Sequence, residues 1–458
     1  MVAKALERAA LCALGAWRDL SLDARVVGGL AVANAILLVG NHTTVQAVAD
    51  APLWRLFPPP LGVAYLLACA ALAVAYPSRD RRYGASFTTR QRWLHLALIV
   101  AAFAVLPTIA SIVLRETGRP YTYVHDGAIM VEEAARKLLS GHDPYAADYL
   151  DTPLFYWPMV NNPALYHLTY FPFLFLITTP FVALFDRLGI FWDQRYLYLP
   201  AFIATLGVLP ALVRRPAERL ALVGLVALNP QIFPFVVEGR NDFFVLFFLF
   251  AGIALLQRER RGAATLMIAA AGAAKLHALI LLPFLAAYLV ATRRPRTLSD
   301  AWAALWRPSW PAAVFLAAAF APFLAWDFAA FYDDVVRYNA GGAAWSYPIS
   351  GVGFSALLLA LGVIPHRQAD FPFAAVEIAV ATPVAIYFLR RLWRAPSLAL
   401  MLGGYALTLL AFLFFGRYFQ GNYLGYILAA ASPIPFLRRG GAVRPARRER
   451  RQLVAAAR

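Results

Sequence analysis

Cysteine is nearly missing from this chain: only Cys12 and Cys69 occur in 458 residues. Two thiols in apolar surroundings make neither a disulfide framework nor a cysteine metal cluster. Charge is scarce too. Asp, Glu, Lys and Arg make up 15% of the chain, where a soluble domain carries about a quarter. Acids are the rarer sign, 25 against 42 Lys and Arg. The surplus of +17 forms no basic stripe on a polar segment, which argues against nucleic acid as a partner. Short segments of alternating polarity, the mark of a membrane β-barrel, are absent. So is any internal repeat with a clear period. The first 25 residues lack the unbroken apolar core of a signal peptide, because Lys4, Glu7, Arg8, Arg18, Asp19, Asp23 and Arg25 are scattered through them. A cytoplasmic surface helix is expected there instead.

What the chain does have is apolar length. Hydrophobic residues make up 61% of it. They fall in runs near 26–42, 61–77, 93–114, 169–185, 196–213, 219–236, 242–256, 263–291, 311–329, 352–362, 372–389, 397–415 and 421–437. Several exceed the roughly 17 residues that cross a ~30 Å hydrocarbon core as helix. The fold class that follows is an all-α polytopic membrane protein of about 12–14 transmembrane helices. Arginines punctuate the runs, at Arg79/Arg81/Arg82, Arg293/Arg294/Arg296, Arg390/Arg391/Arg394 and through the tail after Arg438. This is the positive-inside pattern, and it also suits contact with anionic membrane lipids.

Placing those clusters in the cytoplasm lets the crossings be counted. Loop 115–168 then lies outside, with 330–371 as a second external loop. The run 352–362 is too short to span and is expected to lie at the interface or re-enter. One conflict remains. If 169–185 and 196–213 both cross, Arg214, Arg215 and Arg219 face outward, so either a segment is broken or that cluster departs from the rule. The expected organisation is an N-terminal part at 1–92 with a surface helix and two extra transmembrane helices. A main membrane domain follows at 93–437, then a basic cytoplasmic tail at 438–458.

The loop that follows the third run gathers acids, histidines and tyrosines as no other stretch does. It reads His125-Asp126-Gly127 through Glu132-Glu133 and Arg136-Lys137 to Gly141-His142-Asp143-Pro144-Tyr145. Apolar residues at three- and four-residue spacing predict a short surface helix over 126–139, stopped by Gly141 in a left-handed conformation. Asp126 suits the N-cap. It equally suits a general base held at the mouth of a membrane cavity. The aromatic residues from Tyr121 to Tyr170 fit either an interfacial belt or sugar binding.

The order of these pieces resembles the C-type glycosyltransferase superfamily. The acid after a membrane helix, the Ala-rich surface helix, Leu138-Leu139-Ser140-Gly141-His142-Asp143-Pro144-Tyr145 and Tyr170-Phe171-Pro172 carry the likeness. Glu238-Gly239-Arg240-Asn241-Asp242 and Ala273-Ala274-Lys275-Leu276 extend it. Within the superfamily, the chain is most similar to glycosyltransferase family 87, the polyprenyl-phosphate-mannose-dependent α-mannosyltransferases, over roughly residues 93–437. The resemblance implies a GT-C-like bundle in the bacterial cytoplasmic membrane with its first catalytic loop outside. It implies a lipid-linked sugar donor, a glycolipid or glycan acceptor, inversion at the anomeric carbon, and Asp126 as the base.

Candidates for holding the donor phosphate or sugar are His125, Asp143, Tyr145, Asn241, Asp242, Lys275, His277, Arg337 and Arg417. Lys275 and His277 sit in an apolar run, where ionisable groups face a cavity or a partner. Asn241 and Asp242 could instead cap the next helix, Arg417 could snorkel to headgroups, and Arg337 could pair on the surface. The external loop has no Asp-x-Asp pair, and its histidines match no familiar ligand spacing, so a metal-independent reaction with no cofactor is expected. Two readings compete with this one. The first is a transporter or flippase of lipid-linked sugars, with mid-membrane charges on broken helices. The second is a transferase of the same superfamily for another sugar, such as arabinose or aminoarabinose.

Overall fold

The computed structural model describes residues 15, 17–40, 44–45, 51–159 and 162–437. The expected N-terminal surface helix lies largely outside these residues, and the basic tail 438–458 lies wholly outside them. The described chain is mostly helix, with only two pairs of two-residue strands. Among the described residues, six helices are long and apolar enough to cross a membrane: Leu22–Val39, Leu61–Ser86, Thr89–Thr117, Arg195–Leu212, Leu298–Trp326 and Phe373–Arg394. Shorter apolar helices at Asp242–Gln257, Arg261–Ala274, Leu276–Ala291 and Leu398–Phe414 join them. The chain is therefore all-α, with the apolar helices of a membrane protein.

Two apolar runs are broken. The run 263–291 stops at Lys275, which is extended at φ −153° and ψ 130°, between helix Arg261–Ala274 and a tight turn that leads into helix Leu281–Ala291. An amine in the middle of an apolar run needs a partner, and the break turns this one toward Asp242. The run 219–236 parts into Pro216–Ala227 and Phe233–Glu238. Pro230 lies between them with no N–H to donate, and Asn229 Oδ1 closes the turn on Gln231 N–H at 3.0 Å. By contrast Pro172–Leu188 and Arg195–Leu212, the two segments in the topology conflict, are each unbroken. The run 352–362 forms only the seven-residue helix Phe354–Ala360, as its length leads one to expect.

Helix 261–274 is rich in Ala and Gly, above all from Ala269 to Ala274, so its neighbours approach closely. It packs between helices 242–257 and 298–326. Helix 281–291 packs on 373–394 and 398–414. The N-terminal pair docks on this body, with 22–39 against 216–227. Asn34 Nδ2 donates to Leu228 O at 2.8 Å, and Arg92 bridges Asp23 and Asp80.

Candidate functional site

The helix predicted at 126–139 forms as Asp126–Leu139, and Gly141 follows it at φ +80°. Its apolar face is buried from Ala128 to Ala135. What fixes it is a charge network that sequence reasoning missed. Glu132 is 2% exposed and receives Arg115 through both oxygens, at 2.8 and 2.7 Å, and Gln194 N–H at 2.7 Å. Arg115 also donates to Asp193 at 2.9 Å. Asp193 in turn receives Arg195, whose Nη1 donates to Tyr123 O and Val237 O at 2.8 and 2.9 Å. His125 N–H completes the seam by donating to Glu238 O at 2.8 Å. The start of the helix is thereby locked to the 238–242 turn. The signal was faint: one of two adjacent glutamates falls on an otherwise apolar face.

Asp126 is not the N-cap expected from the sequence. His125 holds that position, and Asp126 is the first helical residue. The reason is the short backbone link to Glu238, which holds His125 extended. His125 Nδ1 lies 2.7 Å from Asp126 Oδ1, and Gly127 N–H donates to the same oxygen at 2.7 Å. Burial works to raise the Asp126 pKa. His125, Arg240 and the Gly127 N–H outweigh it and hold the carboxyl below its ordinary value. Asp126 is thus ionised at neutral pH, the state from which a base starts. Gly127 is needed here, since a Cβ would lie 2.1 Å from the Tyr170 hydroxyl.

Asp126 opens into a cavity of about 880 Å³ that also receives His125, Asn241, Asp242, Lys275, His277 and Arg417. Seven of the ten residues expected at the site therefore converge. Along one wall the charges are paired. Arg240 Nε donates to Glu238 at 2.9 Å and Nη1 to Asn422 at 3.3 Å. Asn422 Nδ2 donates to Asp242 at 3.1 Å, and Lys275 Nζ to Asp242 at 2.7 Å. Neither Asn241 nor Asp242 caps a helix through its side chain; Asp242 spends its oxygens across the bundle. His277 Nε2 is buried without a hydrogen-bond partner among the described residues, its ring against Tyr426 at 4.5 Å.

Arg417 differs from these cations. It is 4% exposed, which corrects the snorkelling alternative. Its guanidinium donates to Tyr347 O at 2.7 Å and Ala369 O at 3.4 Å. Among the described residues no carboxylate lies within the 4.0 Å of an ion pair. Burial lowers its pKa, against the pull of Asp370. Ser350–Gly351 pairs with Tyr418–Phe419 and anchors the chain beside it. Gly341, at φ +87°, leaves the guanidinium room; a Cβ there would lie 2.5 Å from Nη1.

Three expected residues lie off the cavity, and each has a structural task. Arg337 is 52% exposed and pairs with Asp333 at 2.5 Å. Asp143 Oδ1 accepts Tyr145 N–H at 3.0 Å and closes the turn after Gly141. Tyr145 is buried against Phe175, Phe323 and Phe331, and its hydroxyl donates to Tyr170 O at 2.8 Å. Glu377 was missed. It is the lone acid of the run 372–389, it lines the cavity, and the rule for ionisable groups in apolar runs would have found it.

A second joint ties this loop to the segment after helix 298–326. His167 Nδ1 meets Asp334 Oδ1 at 2.6 Å, and Nε2 donates to Ala344 O at 2.5 Å. Leu168 N–H donates to the other Asp334 oxygen at 2.8 Å. With Asp333, these are the described residues close enough to share a cation, yet both ring nitrogens already face protein oxygens. Burial would lower the His167 pKa, but Asp334 and the Ala344 carbonyl raise it above the ordinary 6.5. Burial pushes Asp334 up to about 6 despite His167 and Leu168. Both shifts favour the protonated forms in the fold. The stability they contribute is present at low pH and is lost as pH rises through about 6 and beyond. Hydrogen exchange at Leu168 should therefore quicken between pH 5.5 and 8 by more than its intrinsic base catalysis, and Asp334→Asn should flatten the excess. A wild-type profile no steeper than the intrinsic one would refute this.

The chain matches no protein-family model and no curated protein.

Proposed function

We propose that this chain is an inverting glycosyltransferase that takes a sugar, most simply mannose, from a polyprenyl-phosphate donor on the outer side of a bacterial cytoplasmic membrane. The observation that carries the reading is one cavity holding both the carboxylate of Asp126, whose neighbours favour its ionised form, and a buried guanidinium, Arg417, with no carboxylate in ion-pair reach among the described residues. A buried cation of this kind awaits an anion, and a lipid phosphate supplies one. The rest of the cavity suits the lipid. Ala374, Ile378, Ala381 and Ala385 fall on one face of helix 373–394 and line the cavity together with Phe284 and Phe412. The resemblance to the C-type superfamily supports the same reading.

In the mechanism, Asp126 takes the proton of an acceptor hydroxyl. That oxygen attacks the anomeric carbon from the face opposite the phosphate. The carbon–oxygen bond to phosphate breaks, the polyprenyl phosphate leaves with the electron pair, and the configuration inverts. Arg417 neutralises the charge that grows on the phosphate. The acceptor is an envelope glycolipid or polysaccharide.

The broken run at Lys275 favours a flippase as the second reading, since transporters place charges on discontinuous helices. Liposomes carrying the full chain, a radiolabelled polyprenyl-phosphate mannose and an envelope glycolipid or polysaccharide as acceptor separate the two. Release of polyprenyl phosphate with label in a glycan is expected, and Arg417→Ala should cut it roughly ten- to hundred-fold, as loss of a charged hydrogen bond does. Passage of intact donor across the bilayer, with no release, would refute the transferase.

A further inference from the structure

Trp345 is the least economical residue of the structure. It is 60% exposed, and its backbone lies at φ +58°, a region a bulky residue enters only when its surroundings hold it there. Two buried side chains, Ser346 and His167, hold it there. Ser346 Oγ accepts Ala343 N–H at 3.0 Å and donates to Ala343 O at 2.8 Å, closing the turn around Trp345. The preceding carbonyl, Ala344 O, receives His167 Nε2. The result is that the indole lies on Tyr166, with ring centres 5.5 Å apart and planes at 20°. Tyr166 lies two residues beyond the stretch 157–164, of which Trp157, Asn162 and Ala164 line the cavity. At the other end of that stretch Tyr156, 65% exposed, stacks on Tyr121 at 5.5 Å and 28°. This part of the cavity wall is thus bracketed along the chain by two stacked ring pairs, Tyr166–Trp345 exposed on both rings and Tyr121–Tyr156 exposed at Tyr156.

Belt aromatics at a membrane interface insert singly and need no strained turn. A rigid ring pair with one free face, fixed at the edge of a site, is what the apolar face of a sugar ring stacks on. We infer that the Tyr166–Trp345 pair is a binding platform for an extended glycan acceptor, which lies outside the cavity and feeds its terminal residue inward. Tyr121–Tyr156 offers a second platform. The inference rests on the glycosyltransferase reading for its ligand, and it narrows the acceptor from any hydroxyl-bearing lipid to a chain of several sugars.

The test uses the full chain in nanodiscs and two probes, linear mannohexaose and mannobiose. The hexaose should bind at least tenfold more tightly than the disaccharide. Trp345→Ala should remove that advantage, Tyr166→Ala should weaken it, and Trp345→Phe should keep it within about threefold, because a flat ring remains. Thermal unfolding of each variant identifies any that fails to fold, and Trp345→Phe then carries the test by its retained length preference. Equal affinity for the two probes, or an unchanged hexaose affinity in folded Trp345→Ala, would overturn the platform. So would quenching of the Trp345 fluorescence, taken as wild type minus Trp345→Phe, by brominated phospholipid, which would place the ring in a membrane belt. Release of polyprenyl phosphate from the donor, with the hexaose as acceptor, is followed in parallel. If it is absent while the hexaose still binds, the glycosyltransferase reading fails and the platform stands.

Discussion

Asp126→Asn is expected to lower sugar transfer roughly a hundred- to ten-thousand-fold while the protein stays folded and still binds donor. That range is what a positioned general base contributes. The amide keeps an oxygen to accept Gly127 N–H, which Asp126 Oδ1 accepts at 2.7 Å, so the helix start is preserved. It loses the charge that His125 and Arg240 hold ionised, and with it the ability to take a proton. Transfer from the labelled donor, donor binding and size-exclusion behaviour would be measured side by side. Near-normal transfer would remove Asp126 from the chemistry and leave it a helix-start residue.

The largest stability effect is expected away from the cavity, at Arg115. Its side chain is 1% exposed and bridges Glu132 and Asp193, at 2% and 0%. Arg115→Leu strips Glu132 of both guanidinium bonds and leaves a buried carboxylate with one backbone N–H. Breaking a buried pair from one side costs about 3–5 kcal/mol. Removing both partners is far milder, because no uncompensated charge remains. Arg115→Leu/Glu132→Leu should therefore recover much of the loss, the more so because Asp193 keeps Arg195 at 2.7 Å. Unfolding in detergent, compared across the two singles and the double, checks this. Additive losses would show that the bridge is not the mechanism. Transfer should fall with stability in the single variant, since this network carries the helix that begins at Asp126.

The site loop was legible because its signals are local. A 3.6-residue apolar stripe and a glycine stop place the 126–139 helix from composition alone. The gathering of Lys275, Asp242 and Arg417 was legible only as a suspicion that charges in apolar runs must meet something. Asp143, Tyr145 and Arg337 read just as strongly as site residues, yet they hold a turn, a packing cluster and a surface pair. Polarity announces that a side chain needs a partner. It does not say whether the partner is protein or ligand.

Composition and run length determine the class of this protein, because a backbone in hydrocarbon must satisfy its own hydrogen bonds and long apolar runs do so as helices. They also mark the one polar loop worth inspecting. The pairing of charges is another matter. Asp242 finds Lys275 and Asn422 from distant segments, His167 finds Asp334 across 167 positions, and Arg417 finds no carboxylate within ion-pair reach among the described residues. Electrostatic partnership depends on separations of a few ångströms, and only the packing of helices far apart in the chain sets those separations.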